Sequence, residues 1–552
     1  MISKLKIIPL GGLGEIGKNM TAYEFGSDII VVDCGMGFPD EDMYGIDIVL
    51  PDISYLKANA DRIRGLILTH GHEDHIGAVP YVLKDLDIPI YTTPLTAALV
   101  ELKLEEHDLL YNTQIFTKKA GSVFRLGCFT IEFIHVNHSI PDSVALAIGT
   151  PLGTVIHTGD FKIDVTPISG GMIDLVRLGQ LGNDGVLALL SDSTNVEKPG
   201  HSDSERKVGE SFNKLFRGCD KRIIITTFAS NVHRLQQIVN VAAKYKRKVA
   251  ITGRSMENVL RVATVLGYMD IPENVMVDIE QINKLPKNQV VIISTGSQGE
   301  TMSALYRMAF SEHKQVRIDA GDRVIISASA IPGNENMISR VVDELFHKGA
   351  EVIYDRHTDL HVSGHASQEE IKLVHSLVRP KFFIPAHGET RMLYQHAELA
   401  HKLGVPFENI FILANGDIFE ITKGSARVTG FTNGEAVLID GSSKGEVDNT
   451  VLRERKLLSD DGVVSIALAV SARTGAMMAQ PVVSAMGFLY DSEHQKVEAA
   501  CRQHAANMVA RTIASGKKLR DSVPQMQSQM RSFLYEKTKR RPVVMMNVIE
   551  VE

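Results

Sequence analysis

The segment that most constrains the fold is residues 69–77, which read Thr-His-Gly-His-Glu-Asp-His-Ile-Gly directly after the apolar run Leu-Ile-Leu. Four side chains that bind metals, His70, His72, Asp74 and His75, lie within six residues. His70 and His72 are two positions apart, so an extended chain points both toward one side. Asp74 and His75 follow at the turn into a predicted helix and can face a second ion. We therefore predict a metal centre at a strand end, since a solvated polar loop does not require this spacing.

Two ions need more ligands than one strand end can supply, and three later positions provide candidates. His138 lies in VNHSIPDS, Asp160 ends an apolar strand in VIHTGDFK, and His387 follows an apolar run in FFIPAHGE. A carboxylate at position 160 could bridge two ions about 3.5–4 Å apart. His135 and His157 lie within predicted strands and are interpreted as structural.

The composition agrees with ligation by imidazole and carboxylate. The chain has 20 histidines but only four cysteines, at positions 34, 128, 219 and 501, and no C-x-x-C pair. Neither a thiolate zinc site nor a redox dithiol is therefore indicated, and unpaired cysteines favour a reducing cytoplasm. No apolar stretch reaches 18 residues, so we expect no membrane span. A net charge of −7 excludes a uniformly basic nucleic-acid coat but allows a local binding groove.

The order and spacing of the predicted strands and helices divide the chain into regions. Up to about residue 195, short strands separated by glycine turns predominate. From residue 196 to 355, helices such as 204–216 alternate with apolar strands such as 290–294, which is the pattern of βαβ units on a parallel sheet. Histidine-rich loop sequence follows, and the polar segment 441–456 is predicted to be a linker. We expect a small C-terminal unit with these elements: a strand at 463–470, helices at 493–515 and 523–537, and a strand at 542–549.

The glycine motif Gly12-Leu-Gly14-Glu-Ile-Gly17 imitates a dinucleotide-binding fingerprint. It follows a predicted strand, and Asp33 lies 21 residues after Gly12. A dinucleotide site also needs a helix after the glycines, yet only residues 18–25 precede the next turn, and their composition does not favour a helix. We therefore interpret this segment as strand–turn–strand.

The combined motifs resemble a known superfamily. The H-x-H-x-D-H run at 70–75, the isolated His138 and Asp160 are similar to the ligands of the metallo-β-lactamase fold. Three further residues look like its β-CASP nuclease branch: Asp192 in LLSDSTN, His365 in HVSGH and His387 in PAHGE. With LGGLGEIGKN near the start and a short βα unit at the end, the whole chain resembles the bacterial ribonuclease J family.

This resemblance implies an α/β fold in several parts. Residues 1–195 and 356–440 would form a metallo-β-lactamase αββα sandwich, and residues 196–355 an inserted β-CASP α/β domain. The linker at 441–456 would lead to a small C-terminal α/β domain at 457–552. The active site would lie in the cleft between the first two domains.

The resemblance also assigns roles to the site residues. The site would hold two Zn²⁺ ions, with Mn²⁺ or Mg²⁺ as alternatives. One ion would be bound by His70, His72 and His138, and the other by Asp74, His75 and His387. Asp160 would bridge the two ions. Asp192 would hydrogen-bond His365 and hold its tautomer, while His365 would donate to the scissile phosphate or the leaving oxygen. A turn cap is the alternative role for Asp192. Asp33 is expected to orient the loop that carries the ligands.

Phosphate handling needs backbone amides and hydroxyl groups, and the family suggests where they lie. By resemblance, the RNA phosphate would meet one loop made of His361, Val362, Ser363, Gly364 and His365, and another made of Ser230, Asn231 and Val232. The loops at 252–256, 294–300 and 332–336 could line a pocket for a 5′-monophosphate, with ordinary turn chemistry as the alternative. Gly45, Asp47 and Asp440 could form a remote Ca²⁺ site with oxygen ligands.

The activity that the resemblance implies is that of a zinc-dependent ribonuclease, with 5′→3′ exonuclease and endonuclease activity by two-metal hydrolysis of phosphodiester bonds. It would serve RNA processing and decay in the cytoplasm, including rRNA processing and mRNA decay. The substrate would be single-stranded RNA, preferably 5′-monophosphorylated. The protein would form a homodimer or homotetramer and could join a paralogous subunit or an RNA-degradation complex.

Three alternatives remain at this point. A DNA-repair nuclease of the same branch is disfavoured because such relatives usually lack a histidine at the position of His387. A hydrolase of small molecules would not need the long insertion. A non-catalytic scaffold is disfavoured because the metal motif is intact.

Overall fold

The chain forms two compact units in the computed structural model, which describes residues 4–40, 42–297, 303–328, 334–354, 359–441, 447, 449–488 and 491–552. The first unit comprises Met1–Phe38 and Ile48–Val437, and the second comprises Pro39–Asp47 and Leu438–Glu552. The grouping of the short segment Pro39–Asp47 with the C-terminal residues was not predicted from the sequence.

Short strands and helices build the region that surrounds the inserted domain. Its strands are β1 Leu5–Gly11, β2 Leu13–Gly14, β3 Met20–Phe25, β4 Asp28–Val32, β5 Ile48–Pro51, β6 Ile63–Ile67, β7 Ile90–Thr92, β8 Ile115–Thr117, β9 Val123–Leu126, β10 Phe129–His135, β11 Val144–Thr150, β12 Gly153–His157, β13 Val186–Asp192, β19 Phe382–Ala386, β20 Gly388–Glu389, β21 Asp417–Ile421, β22 Ala426–Phe431 and β23 Ala436–Ile439. Its helices are α1 Ser54–Ala58, α2 Glu73–Ile76, α3 Val79–Val82, α4 Pro94–Glu106, α5 Leu175–Asp184, α11 Gln368–Val378 and α12 Thr390–Lys402.

Two sheets of this region pack against each other. One has eight strands in the order β22-β21-β1-β3-β4-β6-β7-β8, and the other has six in the order β19-β13-β12-β11-β10-β9. Ala188 and Leu190 of β13 belong to the core shared by the two sheets, whereas Leu189 between them packs into a second core with helices such as α11. Because β13 is covered on both faces, its sequence is continuously apolar from Val186 to Leu190.

The inserted region is a parallel sheet flanked by helices. Its elements are α6 Arg206–Phe216, β14 Ile223–Thr226, α7 Val232–Lys244, β15 Lys248–Thr252, α8 Arg254–Val265, β16 Val290–Ser294, α9 Ala304–Ala309, β17 Arg323–Ile326, α10 Glu335–His347 and β18 Glu351–Ile353. The strand order is β15-β16-β14-β17-β18, and every pair is parallel. The predicted βαβ organisation is confirmed. Residues 355–358, at the predicted domain boundary, lie outside the described residues.

The second unit is built on a three-stranded sheet with two long helices. Its elements are α13 Asn449–Asp461, β24 Val463–Ser471, β25 Val482–Met486, α14 Asp491–Ala514, α15 Leu519–Thr538 and β26 Val543–Val551, in the sheet order β25-β24-β26. Two strands and two helices match their predicted positions. The sequence missed the short edge strand β25 and placed a linker where α13 begins, although Leu, Arg, Glu and Lys in VLRERKLL favour a helix. Residues 442–446 and 448 of that predicted linker lie outside the described residues.

The described residues also bear on cysteine chemistry and on membrane contact. All four cysteines are free, and Cys34 and Cys501 are buried. Within the described ranges, the structure has no helix that is both long and apolar enough to span a bilayer.

Candidate metal centre

The first group of candidate ligands gathers at the ends of three strands. His70 and His72 follow β6, His138 follows β10 and Asp160 follows β12. The Nε2 atoms of His70 and His138 each lie 3.1 Å from Nδ1 of His72. They lie 3.7 and 3.8 Å from Oδ2 of Asp160. All four ligand atoms are within 4.8 Å of one another, so one cation could contact them together.

The second group shares Asp160 with the first and adds residues from two distant parts of the chain. Oδ2 of Asp160 lies 3.3 Å from Nε2 of His75. Oδ2 of Asp74 lies 3.5 Å from the same nitrogen and 3.2 Å from Nε2 of His387. The structure thus brings together all seven residues that the sequence predicted as ligands, in two groups with a common carboxylate.

Four of the five ligand histidines are also held through their Nδ1 atom. Their partners are Thr69 Oγ1 for His70 at 3.0 Å, Asp33 Oδ2 for His75 at 2.8 Å, the Gly364 carbonyl for His138 at 2.7 Å, and Thr194 Oγ1 for His387 at 2.8 Å. Nδ1–H of His75 and His138 donates to an oxygen that can only accept, so the neutral form of each ring has its lone pair on Nε2. Such support fixes both the tautomer and the orientation of a metal-binding imidazole.

Of the residues that support the histidine rings, Asp33 was predicted from the sequence and two threonines were not. Asp33 accepts hydrogen bonds from Thr69 N at 2.8 Å and from the Thr69 hydroxyl at 2.9 Å, besides the one from His75. It therefore holds the loop that carries the ligands, as the sequence predicted. Sequence reasoning missed Thr69 and Thr194, because no sequence pattern around either threonine separates this role from ordinary turn chemistry.

The electrostatics of the two groups differ. Burial lowers the pKa of His72 to about 4 and that of His70 and His138 well below the usual range, so these rings are neutral near pH 7. Burial acts in the same direction on His75 and His387, but neighbouring carboxylates, above all Asp160, raise their pKa values well above the usual range. The first group therefore offers neutral nitrogen, and the second is rich in negative charge.

The residues fit a divalent cation. Oδ1 of Asp160 is buried and has no hydrogen-bond partner, which is costly for a carboxylate unless a cation contacts it. Imidazole nitrogen with carboxylate oxygen is the donor set that Zn²⁺ and Mn²⁺ accept. Together with the fold, the clusters indicate a divalent metal cofactor.

Asp192 and His365 lie beside this centre. Nδ1 of His365 donates to Oδ2 of Asp192 at 2.8 Å, while Oδ1 of Asp192 accepts from Thr194 N at 2.9 Å. Asp192 thus makes both contacts weighed from the sequence, a turn cap and a tether for His365. Burial lowers the pKa of His365, but Asp192 outweighs it and raises that pKa above the usual value. Burial likewise opposes ionisation of Asp192, yet His365 keeps the pKa of this carboxyl well below its usual range.

The two loops predicted to meet RNA are ordered by different contacts. In the loop 361–365, Asn195 Nδ2 donates to Ser363 Oγ at 2.6 Å and to the His365 carbonyl at 3.0 Å. Burial lowers the pKa of His361 to about 3, an effect that the positive charge of Arg234 increases. In the loop 230–232, Asn231 caps α7 by accepting from Arg234 N at 3.0 Å, and Val232 is buried as its first residue.

The loops predicted for a 5′-monophosphate are described only in part. In 252–256, Gly253 precedes α8 with a φ of +124°, a conformation that favours glycine. Residues 298–300 and 332–333 of the other two loops lie outside the described residues. The monophosphate pocket therefore stays a prediction.

The residues predicted to hold Ca²⁺ lie around an arginine. Nη2 of Arg455 donates to Oδ2 of Asp440 at 2.6 Å, and Oδ2 of Asp47 accepts from Gly441 N at 2.8 Å. A Cβ atom on Gly45 would come within 2.6 Å of Nη1 of Arg455, which shows how closely the guanidinium approaches that glycine. Asp440 thus has the positively charged Arg455 side chain as a partner. The calcium site stays a prediction.

Comparison with protein families accounts for most of the chain. The model described as "Metallo-beta-lactamase superfamily" matches residues 13–217, and "Ribonuclease J, beta-CASP domain" matches 220–345. "Zn-dependent metallo-hydrolase RNA specificity domain" matches 349–413, and "Ribonuclease J C-terminal domain" matches 450–551. These matches confirm the predicted fold class.

Relatives match over nearly the full length. "Ribonuclease J 1" of Streptococcus pyogenes serotype M3 is 42% identical over 99% of this chain and 98% of its own. "Ribonuclease J2" of Bacillus subtilis is 39% identical over 99% of both, and "Ribonuclease J" of Synechocystis is 46% identical over 90% of this chain and 77% of its own. A solved structure of a protein of unknown function from Enterococcus faecalis V583 has a TM-score of 0.54 at 16% identity, covering 76% of this chain and all of its own, and shows the fold alone. The chain therefore belongs to the ribonuclease J family of the metallo-β-lactamase superfamily, a family of metal-dependent nucleases that hydrolyse phosphodiester bonds.

Proposed function

We propose that this protein is a zinc-dependent ribonuclease that degrades single-stranded RNA in the 5′→3′ direction and also cuts it internally. The observation that carries the proposal is the double ligand group, in which Asp160 is common to both sets and the Asp192–His365 pair lies beside them. Two Zn²⁺ ions would be held by the seven ligands, with His70, His72 and His138 in one set and Asp74, His75 and His387 in the other.

The residues of the chain divide the work of phosphodiester hydrolysis. Bound Zn²⁺ ions would activate water near neutral pH and neutralise charge that develops on the phosphate. His365 donates through Nδ1 to Asp192, so its Nε2 is the nitrogen available to the substrate. With Asp192 holding the imidazole in one orientation, His365 donates a hydrogen bond to the scissile phosphate or protonates the 3′ oxygen that leaves. The downstream product keeps the 5′-phosphate.

Contacts between loops link substrate binding to the centre. The carbonyl of Gly364 accepts from Nδ1 of the ligand His138 at 2.7 Å, so the loop 361–365 is tied to the first ligand group. A phosphate lying against this loop would thus be placed beside the ligands, with the loop 230–232 contributing from the inserted region. Single-stranded RNA with a 5′-monophosphate is the substrate that we propose, in cytoplasmic RNA processing and decay, including that of rRNA and mRNA.

A product ladder tests the reaction. Purified protein is mixed with RNA labelled internally and at its 5′ end, carrying either a monophosphate or a triphosphate, in the presence of Zn²⁺ or Mn²⁺. We expect mononucleotides from the monophosphorylated RNA, internal cuts in both, and about two zinc ions per chain by elemental analysis. RNA that stays intact with every metal would overturn the proposal.

Two controls separate this function from its alternatives. His72→Ala removes one ligand and should abolish cleavage while the far-ultraviolet circular dichroism stays unchanged. DNA of the same sequence should be a poor substrate; faster cleavage of DNA than of RNA would favour the DNA-repair alternative. A folded protein that binds no zinc would instead favour a scaffold.

The second unit supports a proposal of self-association. One face of its sheet packs against α14 and α15 through Ile466, Leu468 and Met546. The opposite face carries exposed apolar side chains, among them Val482 and Met486 of β25, which are 66% and 75% exposed. Apolar faces of this kind are typical of subunit interfaces. We therefore propose a homodimer or homotetramer, with a paralogous subunit or an RNA-degradation complex as a further partner.

Light scattering after size-exclusion chromatography measures the assembly. Met486→Lys should shift the protein toward the monomer, whereas Lys496→Ala in α14 should leave the mass unchanged. A monomeric wild-type protein at micromolar concentration would refute self-association.

A further inference from the structure

The glycine segment at residues 11–19 forms no dinucleotide site, yet its backbone is strongly constrained. Gly12, Gly14 and Gly17 all have positive φ angles, of +88°, +75° and +105°. Inside the turn, Gly12 N donates to Glu15 Oε1 at 3.1 Å. A turn held in conformations that only glycine adopts easily needs a reason in its surroundings.

One end of the segment binds the short helix that carries two ligands. The backbone N and the side-chain Nδ2 of Asn19 both donate to the carbonyl of Asp74 at 3.0 Å. Nδ2 also lies 3.2 Å from Nε2 of His75. The neighbouring carbonyls of α2 are held in the same way, since Met36 N donates to Glu73 O at 3.1 Å and Cys34 N donates to His75 O at 2.8 Å.

This arrangement compensates for the shortness of α2. A helix of four residues can satisfy few of its own carbonyls. Gly35 passes so close that a Cβ atom there would lie 1.7 Å from the Asp74 carbonyl oxygen. Asn19 and the segment 34–36 together form a backbone cradle that fixes the direction of Asp74 and His75.

The other end of the segment binds the strand that follows the third ligand. Leu13 and Gly14 form β2, which pairs in parallel with Gly388 and Glu389 of β20. These residues directly follow His387, whose backbone has a φ of +48°. The segment thus contacts both parts of the chain that supply the second ligand group.

We propose that Asn19 is a positioning residue for the second metal ion, and that the glycine segment acts as a clamp joining Asp74 and His75 to His387. This inference rests on the proposed function, because it presumes two bound ions. The first group takes its support from other contacts, such as that of His138 with the Gly364 carbonyl. Loss of the Asn19 side chain should therefore affect one ion and spare the other.

Zinc content, measured by elemental analysis after dialysis, tests the clamp without relying on activity. Wild type should retain about two ions per chain, Asn19→Ala about one, His138→Ala about one, and the double variant about none. Hydrogen exchange of amides 73–77 should accelerate in Asn19→Ala. Asn59→Ala is the matched control, because Asn59 Nδ2 also donates to a backbone carbonyl, that of Tyr55 at 2.8 Å, and should leave zinc and exchange unchanged.

The outcomes separate this inference from the proposed function. Two ions in wild type and two in Asn19→Ala would overturn the clamp alone, whereas a wild type without bound zinc would overturn the proposed function. One ion remaining in the double variant would show that both residues act on the same ion, which also refutes the clamp. If Asn19→Ala fails to fold, Asn415→Ala replaces it, since Asn415 Oδ1 accepts from Leu13 N at 3.1 Å at the other end of the segment; it should lose the same ion, and full retention would refute the clamp.

A separate observation concerns the second unit, where positive charge is concentrated in one stretch. Residues 511–541 carry nine basic side chains but only two acidic ones, Asp521 and Glu536, although the whole chain has a net charge of −7. The basic residues are Arg511, Lys517, Lys518, Arg520, Arg531, Lys537, Lys539, Arg540 and Arg541. Eight of the nine are exposed and Arg540 is half-buried.

An exposed aromatic ring lies within this stretch. Tyr535 on α15 is 40% exposed, with Cζ of Arg541 at 4.7 Å and Nζ of Lys539 at 5.6 Å from its ring centroid. Surfaces that combine basic side chains with an exposed aromatic ring bind single-stranded nucleic acid. The basic groups contact the phosphates, and a base stacks on the ring. We infer that α15 and its flanking turns form a second binding surface for single-stranded RNA, on the basis of charge complementarity with the proposed substrate.

Binding without cleavage tests this surface. Full-length protein in EDTA is titrated with a long single-stranded RNA and with a hexanucleotide, followed by fluorescence anisotropy. The variant Lys517→Glu/Lys518→Glu/Tyr535→Ala should bind the long RNA about 10-fold more weakly, with a smaller salt dependence, and the hexanucleotide as before. The control Lys118→Glu/Lys119→Glu changes the net charge equally in the first unit. Two outcomes would overturn the inference. One is an equal loss of RNA binding in the control. The other is a triple variant that binds RNA as wild type does but no longer binds anionic phosphatidylglycerol vesicles.

Discussion

The two ligand groups of the metal centre share Asp160 but are built on different principles. The first has three imidazoles whose pKa values are lowered by burial. Two of them are hydrogen-bonded to a threonine hydroxyl and to a backbone carbonyl. The second combines Asp74 with two imidazoles whose pKa values are raised by carboxylates. One of the two imidazoles, that of His75, donates a hydrogen bond to Asp33. The first group is thus a preformed set of neutral nitrogens, whereas the second depends on charge balance and on contacts between distant segments. Removing single supports should therefore separate the two ions.

The largest effect is expected where the two groups meet. Asp160→Ala removes the common carboxylate, so both ions should be lost and cleavage should fall by about 10⁴-fold or more. Zinc analysis and the rate of RNA cleavage measure the two effects. Retention of two ions by this variant would contradict the shared role of Asp160.

A substitution beside both groups should spare the ions. His365→Ala removes a donor to the substrate, and we expect kcat to fall about 10²- to 10³-fold while the zinc content stays near that of wild type. Parallel measurement of kcat and of bound zinc checks this. If zinc is lost as well, His365 belongs with the ligands and not with the donors.

A matched pair of threonines sharpens the comparison. The hydroxyl of Thr69 supports His70 of the first group, and that of Thr194 supports His387 of the second. Valine has nearly the same shape without the hydroxyl, so Thr194→Val should weaken the second ion by about 10- to 100-fold. Thr69→Val should weaken the first ion to a similar extent and the second ion less, because the Thr69 hydroxyl also donates to Asp33, which holds His75. Competition with a zinc chelator, in combination with His138→Ala or His387→Ala, identifies which ion is affected.

The smallest effect concerns stability at acid pH. His375 and His396 form a buried pair behind the second group, with their Nε2 atoms 3.1 Å apart, and Ser193 Oγ lies 2.9 Å from Nδ1 of His396. Burial lowers the pKa of His375 to about 4, against about 6.5 in an unfolded chain. The folded state therefore binds fewer protons, and its stability is fully present above pH 6.5 and declines as the pH falls toward 4.

At pH 5 this difference amounts to about 1–2 kcal/mol for His375. Thermal melting between pH 7.5 and 5 should show the loss, and His375→Leu should melt with a weaker pH dependence than wild type. An unchanged pH dependence in that variant would show that other groups cause the loss.

Much of the site could be predicted because its ligands lie in short, local patterns. The H-x-H-x-D-H spacing after an apolar run points to a metal centre, and the isolated His138, Asp160 and His387 each follow an apolar strand. Elements with strong periodicity, such as α6 and β16, were predicted nearly to their ends. The short strand β25 was missed because it pairs at a sheet edge and has little periodicity of its own.

The sequence by itself determined which residue types could bind metal, where apolar strands deliver them, and that a glycine turn without a following helix is no dinucleotide site. Only the tertiary structure showed that all seven predicted ligands come together around Asp160, that Asp192 contacts Thr194 as well as His365, and that Asn19 holds the carbonyl of Asp74. The physical reason is that spacing along the chain governs local geometry, whereas hydrogen bonds between residues 55 or 173 positions apart exist only once the core has packed.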